Sequence, residues 1–290
     1  MHRITPAQPA ALEGIGLFSA RTSRITIHPA TTPVGIVFEI DGHAIPAHID
    51  ALSDRPPHPA FAHLKPRCTT LGDEHRSVAT VEHILSALAG LGITDARIQI
   101  EGDTPHAEIP ILDGSAQPFA RAILGSGQRT LEDPIEPLRV REPIRIESGD
   151  ASILIEPSDT PNYTPSYTYH IDYPGTPIGS ASAHWSGDPQ HYARSVAPAR
   201  TFSLQHEAQQ MHAAGLFTHL TPRDMLVIDD KGPIDNDYRL PDECARHKLL
   251  DLIGDLALVG APLCAKVTAT RSGHALAHQA ARAIVDQQSD

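Results

Sequence analysis

The chain has 290 residues, 40% of them apolar and 20% charged, a globular composition long enough for one large domain or two modest ones. Its 23 Lys+Arg against 35 Asp+Glu give a formal charge of −12, which excludes a broadly basic surface for nucleic acid. With no run of 18 apolar residues and no basic-then-apolar N-terminus, stable membrane insertion is not expected and the cytoplasm is the expected compartment.

Cys68, Cys244 and Cys264 are odd in number and lack CxxC spacing, so reduced thiols are expected rather than disulfides or a Cys-rich zinc ribbon. Along the chain, Pro56-Pro57-His58-Pro59 reads as a loop. Val81, Ile84, Leu85 and Leu88 recur at helical spacing, which predicts a helix over 77–91, stopped at Gly90-Leu91-Gly92. Residues 96–100 alternate as a strand, the Asp113-Gly114-Ser115 turn follows, and 116–124 reads as a helix. Leu131 to Pro137 reads as a linker. The stretch from Pro157 to Pro177, with Pro161, Pro165 and Pro174, reads as loops interrupting strands.

Pro241 and Asp242 suit a first helical turn, so a helix is predicted from there to about Val259, stopped by Gly260. Residues 263–270 alternate as a strand, and 275–285 reads as a helix after the Ser272-Gly273 turn. Helix, glycine, strand, turn and helix therefore occur twice. This predicts an α+β fold of two related halves, an internal duplication with helices packed on mainly antiparallel sheets. The expected domains are 1–130 and 131–290.

Eighteen histidines are present, and most carry no spacing signal. His247, Asp251 and Asp255 do: steps of four place them within an arc of roughly 80° on one helix face. Leu249, Leu252, Ile253 and Leu256 take the opposite face. A His and a carboxylate one turn apart can share a metal ion, although such a pair alone is more often a solvated polar face. Glu82-His83 lies off the apolar stripe of the earlier helix. There the His suits a ligand and the Glu a base that takes a proton from water, or both are ordinary surface residues. His274 stands at a strand-to-helix turn, as a candidate acid or a helix residue without a role. Together these residues supply His83, His247 and Asp251 for a tetrahedral zinc with one open position, Glu82 as base, and His274 held by Asp255 as acid. Fe²⁺ suits the same donors.

Several blocks carry a family resemblance: Glu13-Gly14-Ile15-Gly16-Leu17, Thr69-Thr70-Leu71, Thr80-Val81-Glu82-His83, Ile111-Leu112-Asp113-Gly114-Ser115, Ala199-Arg200-Thr201-Phe202, Arg246-His247-Lys248-Leu249-Leu250-Asp251 and Ser272-Gly273-His274. Through them the chain resembles the bacterial UDP-3-O-acyl-N-acetylglucosamine deacetylases of lipid A synthesis over nearly its whole length. The resemblance implies two duplicated βα sandwiches, with the second carrying an insert at the substrate pocket. It places zinc at their interface on His83, His247 and Asp251, and implies hydrolysis of an N-acetyl amide to acetate and a free amino sugar. It implies Glu82 as base, His274 as acid, Asp255 as its orienting partner and Thr201 at the oxyanion. It places Lys248 against an acylated UDP-amino-sugar, and Phe202 and Leu17 near the acyl chain. A monomer is expected.

The chain departs from the family at Gly16-Leu17-Phe18-Ser19-Ala20, where an imidazole is missing, and across Phe217 to Asp224 after Gly215-Leu216. It also departs around Asn236 to Glu243. Asp224 is expected to replace the family's recognition carboxylate at a shifted position. The metal and acid–base set is kept while the recognition set is rewritten. Two further readings therefore stand beside the first: a paralogous zinc deacetylase for another N-acylated sugar, and a non-catalytic metal-binding regulator.

Overall fold

The structure is a computed structural model that describes residues 1–101, 105–158 and 164–289. Pro161, expected in a loop, lies outside the described residues. Six α-helices are described: α1 (Glu82–Gly90), α2 (Gln117–Gly125), α3 (Pro189–Ser195), α4 (Gln205–Ala213), α5 (Glu243–Leu256) and α6 (His274–Ser289). None is long and apolar enough to cross a membrane.

Two sheets share one topology. The first runs Ala10–Ile15, Thr22–Pro29, Ala96–Glu101, Ile36–Ile40, His43–Pro46. The second runs Ile144–Ser148, Ala151–Pro157, Leu263–Thr270, Ser166–Tyr173, Gly179–Trp185, with Leu138–Arg139 added beside Leu263–Thr270. In each, the strand that follows a long helix inserts in the middle. It runs antiparallel to its earlier neighbour and parallel to its later one. The added Leu138–Arg139 is also parallel to Leu263–Thr270, and the remaining pairs are antiparallel. The fold is thus the mixed α+β arrangement expected from the repeated helix–glycine–strand–turn–helix pattern.

α2 packs on the first sheet, and α5 and α6 pack on the second. α1 packs on α5, α2 on α1, and α6 on α5. Apolar residues from both halves, such as Ile25, Phe38, Leu85, Ile153, Leu249 and Val267, form one continuous buried core. The α1–α5 contact is therefore a backbone-level seam between the halves, and it carries the site. Between α3 and α5, Phe202–Leu204 and Leu226–Ile228 pair in parallel with α4 as their crossover. This βαβ unit has no counterpart among the described residues of the first half.

Four expectations shift. The helix predicted over 77–91 starts at Glu82, because Ser77–Ala79 pairs with Thr70–Gly72 and His106–Glu108 as a strand. Val78 and Ala79 fit an apolar helix face and a buried strand equally. The linker read at 131–137 is corrected: Gln128–Pro134 is a strand paired antiparallel with His2–Pro6, and Leu131 is buried. Its proline sits at the strand end, where a missing N–H is tolerated. Within the Pro157–Pro177 stretch, Ser166–Tyr173 is a full strand with Tyr167, Tyr169 and Ile171 buried at alternate positions. In the Pro56–Pro59 loop, Pro59 opens a single 3₁₀ turn over Pro59–Phe61. The three cysteines are free and buried, as expected.

Candidate active site

The turn into α1 positions Glu82. Thr80 takes the left-handed region (φ 61°), which is strained for a β-branched residue. Its hydroxyl donates to buried Glu108 Oε1 at 3.1 Å, and Glu108 also accepts the Phe18 and Ser19 N–H groups at 2.9 and 2.8 Å. The chain therefore turns sharply, and Glu82 and His83 become the first two residues of α1. Glu82 is buried, and its Oε2 accepts the Thr69 N–H at 3.0 Å. Burial strips water from the carboxylate and raises its pKa above the ordinary value.

α5 supplies the facing residues. His247, Asp251 and Asp255 share one helix face as their spacing predicts, but that face meets α1 rather than water, and all three are buried. Buried polar groups need partners. His247 Nδ1 donates to the Ala199 carbonyl at 3.2 Å, which leaves Nε2 with a lone pair. That Nε2 faces Asp251 Oδ1 at 3.4 Å, and His83 Nε2 faces the same oxygen at 3.6 Å. Burial drives the His247 pKa down to about 3, so the ring is neutral near pH 7. A lone pair thus points at a carboxylate oxygen with no proton between them.

Such acceptors can be brought together by a cation. Bonds of about 2.0–2.1 Å to a tetrahedral ion set donor–donor edges of roughly 3.3–3.4 Å, close to both spacings. His83 Nδ1 is buried without a hydrogen-bond partner among the described residues, so only packing and the donor cluster orient its ring. Lys248 Nζ donates to the second Asp251 oxygen at 2.9 Å. His83, His247 and Asp251 could therefore hold one divalent ion, with an open position.

The second cluster is of another kind. His274 is the first residue of α6, and its Nδ1 donates to Asp255 Oδ2 at 2.8 Å. That spacing holds a proton. Burial disfavours the charged imidazole, but Asp255 and then Glu82 outweigh it and raise its pKa to about 9. His274 Nε2 lies 4.0 Å from Glu82 Oε1. The preceding turn is fixed by Tyr169, whose hydroxyl donates to the Ser272 carbonyl.

Other expected residues divide into two groups. Phe202 stacks edge-on to His247 (6.3 Å between centroids) and lies under Lys248 Nζ (5.8 Å). Thr201 precedes it, with its N–H donating to Gly114 O at 2.7 Å. Phe202 and Lys248 border the donor cluster. Leu17 lies elsewhere, against a separate apolar cluster of Phe18, Phe61, Cys68 and Ala79. Asp224 Oδ2 accepts the Thr221 N–H and hydroxyl at 2.7 and 2.8 Å, so this carboxylate closes its own turn.

Three features escape a reading of the sequence. His278 sits one turn after His274, a spacing of four like that used for His247 and Asp251, and its Nε2 lies 2.8 Å from Thr69 Oγ1. Thr69 contacts both Glu82 and Asp255. Arg200 and Glu243 form a buried ion pair at 2.8 Å behind the Ala199–Thr201 loop, with no sequence periodicity to mark it.

Two imidazoles and a carboxylate that could share one cation, beside a buried carboxylate and a carboxylate–imidazole pair, fit the class of metal-dependent hydrolases. The family model described as UDP-3-O-acyl N-acetylglycosamine deacetylase matches residues 3–286. The chain belongs to this family, and the family is one of metalloenzymes. Among curated relatives, the UDP-3-O-acyl-N-acetylglucosamine deacetylase of Leptospira biflexa is 33% identical over 99% of this chain and 91% of the relative. The protein of that name from Myxococcus xanthus is 34% identical over 98% of this chain and 87% of the relative. That from Solibacter usitatus is 35% identical over 94% of this chain and 87% of the relative.

Proposed function

We propose that this chain is a deacetylase that hydrolyses the N-acetyl amide of UDP-3-O-acyl-N-acetylglucosamine in lipid A biosynthesis, with zinc on His83, His247 and Asp251. The observation that carries the reading is the His247 lone pair facing Asp251 Oδ1 at 3.4 Å, beside a buried Glu82. Zinc fits two imidazoles and one carboxylate with an open position; Fe²⁺ fits the same donors. When bound, the ion supplies Lewis acidity to the amide carbonyl and to water.

The chain's own residues supply the proton transfers. Glu82 takes a proton from the attacking water, and its raised pKa brings it toward the operating pH of a base. The hydroxyl adds to the acetyl carbon while Thr201 donates to the developing oxyanion. His274 gives its Nε2 proton to the departing amine, the C–N bond breaks, and acetate and the free amino sugar leave. Asp255 supports His274 throughout as an ionised acceptor. Lys248, beside Phe202, is a cation for the sugar nucleotide, and Phe202 and Leu17 border the acyl chain. Asp224 contributes to sugar recognition when its turn opens from Thr221.

Donors, base and acid all come from one chain, which supports a monomer. A nucleotide-activated sugar substrate supports a cytoplasmic location. The repeated topology supports reading 1–130 and 131–290 as the two duplicated units, with the strand Gln128–Pro134 crossing the join.

The test is acetate release from the acylated UDP-sugar by zinc-loaded protein, with Glu82→Ala as blank and metal analysis of both. Activity lost in a variant that keeps one zinc supports the reading. A zinc-loaded wild type that releases no acetate would point to a different N-acylated sugar.

A further inference from the structure

Thr69 precedes the strand Thr70–Gly72 in the first half, yet it touches groups from both halves. Its N–H donates to Glu82 Oε2 at 3.0 Å. Its hydroxyl donates to Asp255 Oδ1 at 2.5 Å, on α5. Asp255 Oδ2 in turn accepts His274 Nδ1–H at 2.8 Å, and His274 Nε2 returns to Glu82 at 4.0 Å. The contacts close a ring of four residues: Thr69, Asp255, His274 and Glu82. Thr69 is fully buried, so no solvent competes for its hydroxyl.

His278 fixes the direction of that hydroxyl. Its Nε2 lies 2.8 Å from Thr69 Oγ1 and 3.7 Å from Asp255 Oδ1. Thr69 has one proton, and the ionised Asp255 oxygen is the stronger acceptor. The proton therefore goes to Asp255, and the Thr69 lone pair must receive a proton from His278 Nε2. His278 is held as a donor at Nε2, buried one turn behind His274 on α6.

We infer that Thr69, oriented by His278, is a positioning residue that sets the base Glu82 and the acid's partner Asp255 in one rigid frame. The inference rests on the deacetylase reading for its kinetic consequence but not for its geometry. Neither residue touches the reacting atoms. Both act by removing rotational freedom from groups that must stay in place while protons move. The two carboxylates lie on different helices, α1 and α5, so a shared anchor keeps their separation fixed.

The variant that isolates the hydroxyl is Thr69→Val, which keeps shape and the backbone N–H to Glu82. In zinc-loaded full-length protein, kcat is expected to fall about 10- to 100-fold, as for partners behind active-site groups. KM should stay within about twofold and zinc content unchanged, because the lost interaction serves the reaction rather than binding. Thr69→Ser restores the hydroxyl and should recover kcat to within about threefold of wild type. A buried threonine with a packing role alone would show the reverse, since Ser removes a methyl and Val does not. Long-range ¹H–¹⁵N spectra of the imidazoles give a readout free of activity: His278 carries its proton on Nε2 in wild type and loses that preference in Thr69→Val. If Thr69→Val does not fold, His278→Leu carries the same kinetic expectation with Thr69 intact.

Wild-type kcat in Thr69→Val, or a His278 protonated on Nδ1 alone in wild type, overturns the inference. Should the wild type release no acetate while His278 shows the Nε2 tautomer, the deacetylase reading fails and the frame stands. Acetate release that needs Glu82 but ignores Thr69 does the opposite: the deacetylase reading stands and the positioning role falls.

Discussion

Gly254 on α5 lies so close to Glu82 that a Cβ at position 254 would stand 2.0 Å from the Glu82 carbonyl oxygen. The neighbouring atom is backbone, which cannot swing aside as a side chain could. Glycine is thus needed at 254 for the two helices to touch where Glu82 and His83 meet His247 and Asp251. Gly254→Ala is expected to push α1 from α5, costing about 1–3 kcal/mol or more of stability. It should also weaken zinc binding, because His83 moves with α1 while His247 and Asp251 move with α5. Urea unfolding and chelator competition check both; a variant with wild-type values would show that the seam has slack.

The acid pair gives a pH prediction with a definite sign. The His274 pKa is raised to about 9 from an ordinary 6.5, so the protonated imidazole is present below that pH and is lost as pH rises through it. Its contribution to stability follows the same course: full below the unfolded value, gone above about 9. The kcat profile should therefore fall on its basic side near pH 9. Asp255→Asn removes the charge that opposes burial, so the basic limb should move to lower pH. Comparing the two kcat profiles decides the matter, and a limb that stays in place would assign it to another group.

The likeness of the halves is legible in the sequence because helix stops and strand alternation survive divergence: Gly260 caps the 3₁₀ turn Ala257–Val259 that follows α5, and alternation alone bounds the strand Leu263–Thr270. The α1 start is not legible, since Thr80's left-handed turn depends on Glu108, a residue 28 positions later. Donor residues are legible from helical spacing within α5, whereas their convergence with His83 is a tertiary fact that periodicity does not encode. His278 is legible in principle at four residues from His274. Thr69 is not, because its hydroxyl meets Asp255 and His278, which lie far along the chain and come close only in the fold.

Arg200 and Glu243 test how far the frame around the metal donors depends on a buried charge pair. Glu243 accepts the Arg200 N–H, Nε and Nη2 at 3.0, 2.8 and 3.2 Å, and the Arg239 N–H as well. The loop so pinned carries the Ala199 carbonyl that orients His247. Glu243→Ala strands a buried guanidinium and is expected to cost about 3–5 kcal/mol. Arg239→Ala breaks the half-exposed pair with Asp113 at 2.7 Å and a long bond to the Pro198 carbonyl at 3.4 Å, and should cost under about 1 kcal/mol. Equal urea midpoints for the two variants would contradict this ranking.

Two of the segments expected from the sequence to depart from the family meet each other. Phe18 and Phe217 stand 5.5 Å apart at a 61° interplanar angle, and each packs on Phe61, at 5.3 and 6.0 Å. His219 Nε2 adds a hydrogen bond to the Gly16 carbonyl at 3.2 Å. A phenyl ring at 18 has its packing partner in the altered 217–224 segment, so the two changes form one repacked unit beside Leu17. Their energies should then be coupled: in a double-mutant cycle of Phe18→Leu and Phe217→Leu, about 0.5–1.5 kcal/mol of interaction is expected, as for other edge-to-face aromatic pairs. Unfolding free energies of the two single variants and the double variant provide the cycle. Strict additivity would mean that the two departures arose independently, and that Phe61 alone holds each ring in place.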